Sequence, residues 1–422
     1  MTQHFKQKLS AVALGSAIAL VSGSASAYNL YSENGSELNL DIEAVVGTFS
    51  SQENYFGKSG NSSSWQEGYL KAGFSGSKEV STESTIYGGI NFVSSGTWGD
   101  GDAGGNTNGS ERHTEIEDAF VGVRTGLLDL SIGRQNFSIG DGFLINGDAL
   151  NLGEGVFPDS NRGGAYWLAA RKAFDQTVIA RIGGEDGLRG DLFYLGSDNK
   201  AQSEMELGGA NIEYVTEKGT FGATYIKGLN AVDNAKRDGQ KTVSVRFQGN
   251  AGVENLFLSA EYADQSQGDS SADANAWYAE AGWTFADVAW SPQLTYRYTK
   301  YDEGFDSLFY GFNRGYGTWF QGEVAANYAG PFGSSAEIQH VSLKASPTEM
   351  LSVGALFFDF SNSTTFGSNS DGQEVDLYAE WVVNDHLIIS PLIGVYSPDS
   401  DNATQNTNDD NFYAQVIAIV PF

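Results

Sequence analysis

The sequence predicts an all-β chain folded as a transmembrane antiparallel up-and-down β-barrel of about 18 strands, with a range of roughly 16–20. Three observations predict it. Apolar and polar residues alternate with period two in segment after segment. Beyond the N-terminal stretch, no segment approaches the ~20 consecutive apolar residues that a spanning helix needs. Connections fall into tight turns, such as residues 125–126, 249–252, 346–348 and 384–386, and long loops rich in Gly, Asn, Asp and Ser, such as residues 50–64, 99–110, 264–273, 362–372 and 397–410, the rhythm of short periplasmic turns and longer external loops.

In chain order, Lys6 and Lys8 precede an apolar stretch, residues 9–21, and then small residues ending in Ala25, Ser26 and Ala27. These are the three parts of a secretory signal peptide, so residues 1–27 are expected to be removed, leaving one barrel domain over 28–422. The chain has no cysteine and carries 24 Lys and Arg against 53 Asp and Glu, a net charge of −29. A field of that sign repels phosphate backbones and excludes nucleic acid as a partner. With disulfides absent, stability must come from elsewhere, and barrel closure is one source. In hydrocarbon only helices and closed barrels satisfy every backbone group, so a spanning form of this chain is a barrel in the Gram-negative outer membrane, surrounded by its lipid. A soluble periplasmic β protein is the competing fold, but it has no reason to sort its loops by alternate parity.

Residues 37–49, ELNLDIEAVVGTF, place Leu38, Leu40, Ile42, Ala44 and Val46 opposite Glu37, Asn39, Asp41 and Glu43. The pattern recurs with Val243, Val245 and Phe247, with Leu256, Leu258, Ala260 and Tyr262, and with Trp277, Ala279, Ala281, Trp283 and Phe285. It recurs again with Pro292, Leu294, Tyr296 and Tyr298, and with Val375, Leu377, Ala379 and Trp381. Aromatic residues end several of these apolar faces, at Phe49, Phe74, Tyr262, Trp277, Phe285 and Trp381, as interfacial girdles require. Alternation of turns and loops rejects two candidate strands. Residues 319–328 become part of a long external loop over 302–333, and residues 177–195 become a single strand despite a weak break at Glu185, Asp186 and Gly187. The last segment, residues 411–422, sets Phe412, Ala414, Val416, Ala418, Val420 and Phe422 on one face. Its terminal Phe422 resembles the signal by which the barrel-insertion machinery recognises outer-membrane proteins.

Chemistry-bearing residues are sparse. Only four histidines occur, so no metal centre is expected, and nothing calls for a cofactor. The acidic loop residues Asp100, Asp102, Asp409 and Asp410 are read as solvated charge in preference to a calcium site. His340 and Ser342 share a strand face at the spacing of the outer-membrane phospholipase family, but without that family's surrounding motif. Basic residues are the informative ones. Seven of the eleven arginines lie within residues 112–189. By parity Arg124, Arg181, Arg189, Arg246 and Arg297 oppose apolar neighbours and point into the lumen, because a lipid-facing arginine near the midplane costs ~2–4 kcal/mol. Arg171 belongs to the same cluster, and Arg134 breaks parity unless Gly133 bulges. These seven, Arg124, Arg134, Arg171, Arg181, Arg189, Arg246 and Arg297, are the candidate pore-lining residues. Grouped arginines form a strip that binds anions in transit, unless each pairs with an inward carboxylate such as Asp191 or Glu213.

Residues 301–323, YDEGFDSLFYGFNRGYGTWFQGE, and 131–148, SIGRQNFSIGDGFLINGD, with Gly133, Arg134 and Gln135 at the centre, resemble the alginate-export family of outer-membrane barrel porins. The two stretches cover about a tenth of the chain. Ser307 stands where that family's pattern has proline. The resemblance implies an 18-stranded barrel with an electropositive lumen that passes a polyuronate or another anionic saccharide. The expected function is therefore passive diffusion of small hydrophilic solutes, anionic ones above all, with no enzymatic activity. The alternative is a non-conducting barrel with a lipid hydrolase or adhesive role.

Overall fold

The computed structural model describes residues 28–269, 271–311, 322–324 and 335–421. The expected signal segment, Phe422 and most of the rejected stretch 319–328 lie outside the described residues. The chain enters through a hairpin of β1 (Tyr28–Glu33) and β2 (Ser36–Ser51). It then climbs and descends through β3 (Ser63–Ser81), β4 (Ser84–Gly99), β5 (Arg112–Thr125), β6 (Leu128–Gln135), β7 (Phe174–Ile182), β8 (Gly187–Gly196), β9 (Glu206–Thr216) and β10 (Gly219–Asn230). The second half runs through β11 (Lys241–Gly249), β12 (Leu256–Ser266), β13 (Ala274–Thr284), β14 (Gln293–Tyr301), β15 (Ala336–Thr348) and β16 (Leu351–Ser361). A small loop hairpin, β17 (Thr364–Thr365) with β18 (Ser368–Asn369), precedes β19 (Gly372–Asn384), β20 (Leu387–Pro398) and β21 (Asn411–Pro421).

Every neighbouring pair is antiparallel, and β2 closes the ring by pairing with β21 from Glu43↔Pro421 to Ser51↔Tyr413. Eighteen strands form the barrel. β1 pairs with β2 from Tyr28↔Leu40 to Glu33↔Ser36, beyond the point where β21 ends, and so continues the wall on that side. Closure pairs every barrel strand on both edges, which is what permits a β structure to sit in hydrocarbon.

Lipid imposes the sequence pattern. On β11, Val243 and Val245 are 50 % and 56 % exposed, whereas Thr242 and Ser244, which alternate with them, are each 1 % exposed. The apolar side of each strand faces out and the polar side faces in, the reverse of a soluble sandwich. Phe74, Tyr262, Phe285 and Trp381 are exposed as the girdle expectation requires, and Trp277 packs on Tyr298. Phe49 is the exception. It is buried inside the barrel and stacked on Trp65, because the chain register puts Val46 outside and Val45 and Phe49 inside.

Two further corrections concern the sequence reading. Residues 177–195 are not one strand: β7 and β8 form a hairpin whose turn is the stretch 183–186, where Gly183 and Gly187 both have positive φ. The turn that was expected at Ser346, Pro347 and Thr348 lies one step on, and those residues belong to β15, where the register shifts between Ala345 and Thr348. Long connections gather at one rim of the barrel and tight ones at the other, so the loops expected around residues 50–64, 99–110, 264–273, 362–372 and 397–410 share one end.

Candidate functional site

The connection between β6 and β7, residues 136–173, does not stay at the rim. It carries Phe143, Leu144, Ile145, Ala149, Ala165, Tyr166 and Trp167, all buried, and an apolar loop of this length buries itself where the barrel offers apolar surface, which is its own interior. Trp167 stacks 6.1 Å from Trp65 on β3 and packs 5.9 Å from Tyr413 on β21. Phe143 packs 5.1 Å from Tyr278 on β13, and Phe137 packs 4.8 Å from Phe193 on β8. The loop thus touches walls from β3 and β21 round to β13 and crosses the lumen. The connection from β14 reinforces it: Asn146 N donates to Phe309 O at 2.7 Å and Phe309 N donates to Leu144 O at 3.1 Å.

Charged groups pin these segments. Glu117 on β5 accepts from Lys172 N at 2.6 Å and Ala173 N at 2.8 Å, and holds Arg171 Nε at 3.2 Å. Buried Asp148 accepts from Ser197 Oγ at 2.6 Å and Asn199 Nδ2 at 2.8 Å and pairs with Arg162 at 3.0 Å. Asp198 bridges Arg162 at 2.5 Å and Arg134 at 2.9 Å. Burial by itself raises the Asp198 carboxyl, but the guanidiniums of Arg162 and Arg134 outweigh it and hold it well below the usual aspartate range. Arg237 and Asp306 make a two-pronged pair at 2.6 and 2.7 Å that ties the connection after β10 to the one after β14, and this pairing overcomes burial to keep Asp306 low.

Beneath the loop, on the side of the tight turns, lies a cavity of about 370 Å³. Arg181, Arg189 and Arg246 line it, with Asp191 and Glu213 on the same wall and Asp141 on the loop. Glu213 receives Arg189 at 2.6 Å and Arg246 at 2.5 Å, whereas Arg181 stands 3.8 Å from Asp191. The side chains of Arg181 and Arg189 remain 44 % and 42 % exposed, while that of Arg246 is 6 % exposed. Asp141 bonds to the Tyr278 hydroxyl and holds the loop against β13. Gly140 has φ +58°, and a Cβ there would stand 2.9 Å from Arg246 Cδ, so glycine lets the loop pass the arginine wall.

The expected arginines therefore divide. Arg181, Arg189 and Arg246 come together on one wall. Arg124 sits near the turn rim over Tyr87 and bonds Asp129 at 2.9 Å. Arg297, 1 % exposed, stands across the ladder from Glu280 and His340. Arg171 is not on a strand wall at all but in the inward loop, 1 % exposed and held by Glu117. Gly133 does break the register, with φ +128° and a shift before Gln135, and Arg134 then bridges Asp175 and Asp198 as a loop anchor. A strip of unpaired cations is not what forms, since Arg124, Arg134, Arg171, Arg181, Arg189 and Arg246 each have a carboxylate partner. Sequence reading missed Asp141, Tyr278 and Trp167, whose roles depend on a loop folding inward. The apolar run FLI at 143–145 and Tyr166-Trp167 within a Gly-rich segment were the available signal.

His340 and Ser342 are both inward and buried, with the imidazole stacked 4.3 Å from Phe358. Neither faces lipid. Among the described residues no group of three or more His, Cys, Asp or Glu is placed to hold a metal ion.

Comparison with known proteins agrees with this architecture. Residues 180–307 match the family model described as alginate export. Outer membrane porin F of Escherichia coli strain K12 is 24 % identical over 272 residues, spanning 58 % of this chain and 67 % of that protein. Among solved structures, a BenF-like porin from Pseudomonas fluorescens Pf-5 superposes with a TM-score of 0.62 at 10 % identity, over 91 % of this chain and 98 % of that one. Acinetobacter baumannii OccAB3 gives 0.60 at 8 % identity, over 91 % and 99 %. With its closed 18-strand wall, polar interior and likeness to the alginate export model over residues 180–307, the chain is a porin-like channel of the Gram-negative outer membrane.

Proposed function

We propose that the channel serves passive diffusion of small hydrophilic solutes and favours those that carry an anionic group, acidic saccharides among them. The observation that carries this reading is the cavity beneath the loop, where the half-exposed guanidiniums of Arg181 and Arg189 face the solute path. Three guanidiniums share two carboxylates on that wall, and the third carboxylate of the cavity, Asp141, is on the loop and bonded to the Tyr278 hydroxyl. Pairing moderates the field, and selectivity between small ions is expected to be modest. An anionic group passing Arg181 exchanges a weak 3.8 Å contact with Asp191 for a closer one. The match to the alginate export model over 180–307 spans the strands that bear all three arginines and supports a saccharide as cargo. A hydrolase reading has no support in the geometry, because His340 and Ser342 are turned away from lipid.

Reconstitution in a planar bilayer tests the proposal. Stable ohmic steps are expected, and the doubly substituted Arg181→Glu/Arg189→Glu channel should shift its reversal potential in a salt gradient toward cations. An unchanged reversal potential would remove these arginines from the solute path.

A further inference from the structure

Above the crossing loop, among the long connections, lies a second cavity of about 710 Å³, in the range of small-molecule sites. Its exposed lining is mostly apolar, an unexpected surface at the mouth of a channel for hydrophilic solutes. Phe157 and Tyr166 come from the crossing loop, Phe305 and Tyr310 from the connection after β14, Phe56 from the one after β2, and Phe366 from the one after β16. Phe56 and Phe366 meet edge to face at 5.8 Å. Each is the first central residue of a two-residue turn with positive φ at both central positions, Phe56-Gly57 closed by Lys58 N donating to Tyr55 O and Phe366-Gly367 joining β17 to β18, so type I′ turn geometry fixes both backbones. A flat apolar group entering the cavity would lie among faces and edges of six aromatic side chains.

We infer that this vestibule binds solutes bearing a flat apolar ring, with their hydrophilic part directed down the channel, and that Phe56 and Phe366 act as a two-sided clasp on the ring. Aryl glycosides are the simplest members of that class. The ring partitions into the vestibule and the sugar remains hydrated below it. Solutes without a ring pass with no stop there.

The test needs no conduction and so stands apart from the diffusion proposal. The full barrel in lipid nanodiscs is titrated calorimetrically with 4-nitrophenyl glucoside and, in parallel, with methyl glucoside. Saturable binding of the aryl glycoside only is expected, weakened by about tenfold in Phe56→Ala/Phe366→Ala, since an aromatic pair beyond its buried area contributes roughly that factor. Phe366→Trp, which keeps a ring, should retain binding, and heat-resistant electrophoretic mobility confirms that each variant is folded. Equal binding of the two glycosides, no binding of either, or an aryl affinity unmoved by the double substitution would overturn the inference.

Discussion

Arg162 illustrates how single side chains hold the channel's interior shape. Its guanidinium is 1 % exposed and joins Asp148, which is wholly buried, to Asp198. Breaking one partner of a buried pair costs ~3–5 kcal/mol, because the charge left behind has lost both water and its counter-charge. Arg162→Met is therefore expected to free the crossing loop while the barrel stays folded, read as rapid proteolysis within residues 136–173. Asp198 gives the same readout a pH dependence. Its folded-state pKa is depressed, so its contribution is complete above the unfolded value of about 3.9 and is lost only as pH falls through the lower folded value. The wild-type loop should stay protected through mild acid and become cleavable, by an acid-active protease, only below the ordinary aspartate range. Arginine positions on strands were legible in the sequence because lipid forbids the outward direction. Their partners were not, since Arg171 and Arg162 meet Glu117 and Asp198 only after the chain between them has folded inward.

At the scale of elements, the strand wall is the most legible part of the molecule. Period-two alternation fixes which face meets lipid, and Val245 and Arg246 show the consequence at adjacent positions of β11: the valine is 56 % exposed outside, and the arginine is bonded to Glu213 inside. Val245→Arg is expected to destabilise the barrel by ~2–4 kcal/mol in reversible unfolding from vesicles. Val245→Leu should leave it unchanged. Alternation could not separate β7 from β8, because the four-residue turn between them is short and weakly marked and loop parity was imposed without knowing that residues 136–173 form one long connection. Phe49 misled for a related reason. A buried aromatic at a strand end reads as an interfacial anchor until Trp167, 118 positions away in the chain, stacks beneath it at 6.3 Å.

The whole molecule combines a barrel wide enough to hold water with connections that partly fill it. About 18 strands enclose an aqueous lumen, and in this chain the crossing loop divides that lumen into an aromatic vestibule and an arginine-bearing cavity. Fold class and membrane placement follow from local rules, period, length and turn chemistry, and these survive in a single sequence. The solute path follows from contacts between remote segments, such as Phe143 with Tyr278 or Asn146 with Phe309, which no local pattern encodes. The central claim is that the divided lumen still conducts hydrophilic solutes. Swelling of proteoliposomes in isosmotic saccharides of increasing size measures this directly. Swelling should be fast with monosaccharides, slow with larger oligomers, and faster for an acidic sugar than for a neutral one of equal size. Vesicles that swell no faster than protein-free liposomes in any saccharide would contradict the account.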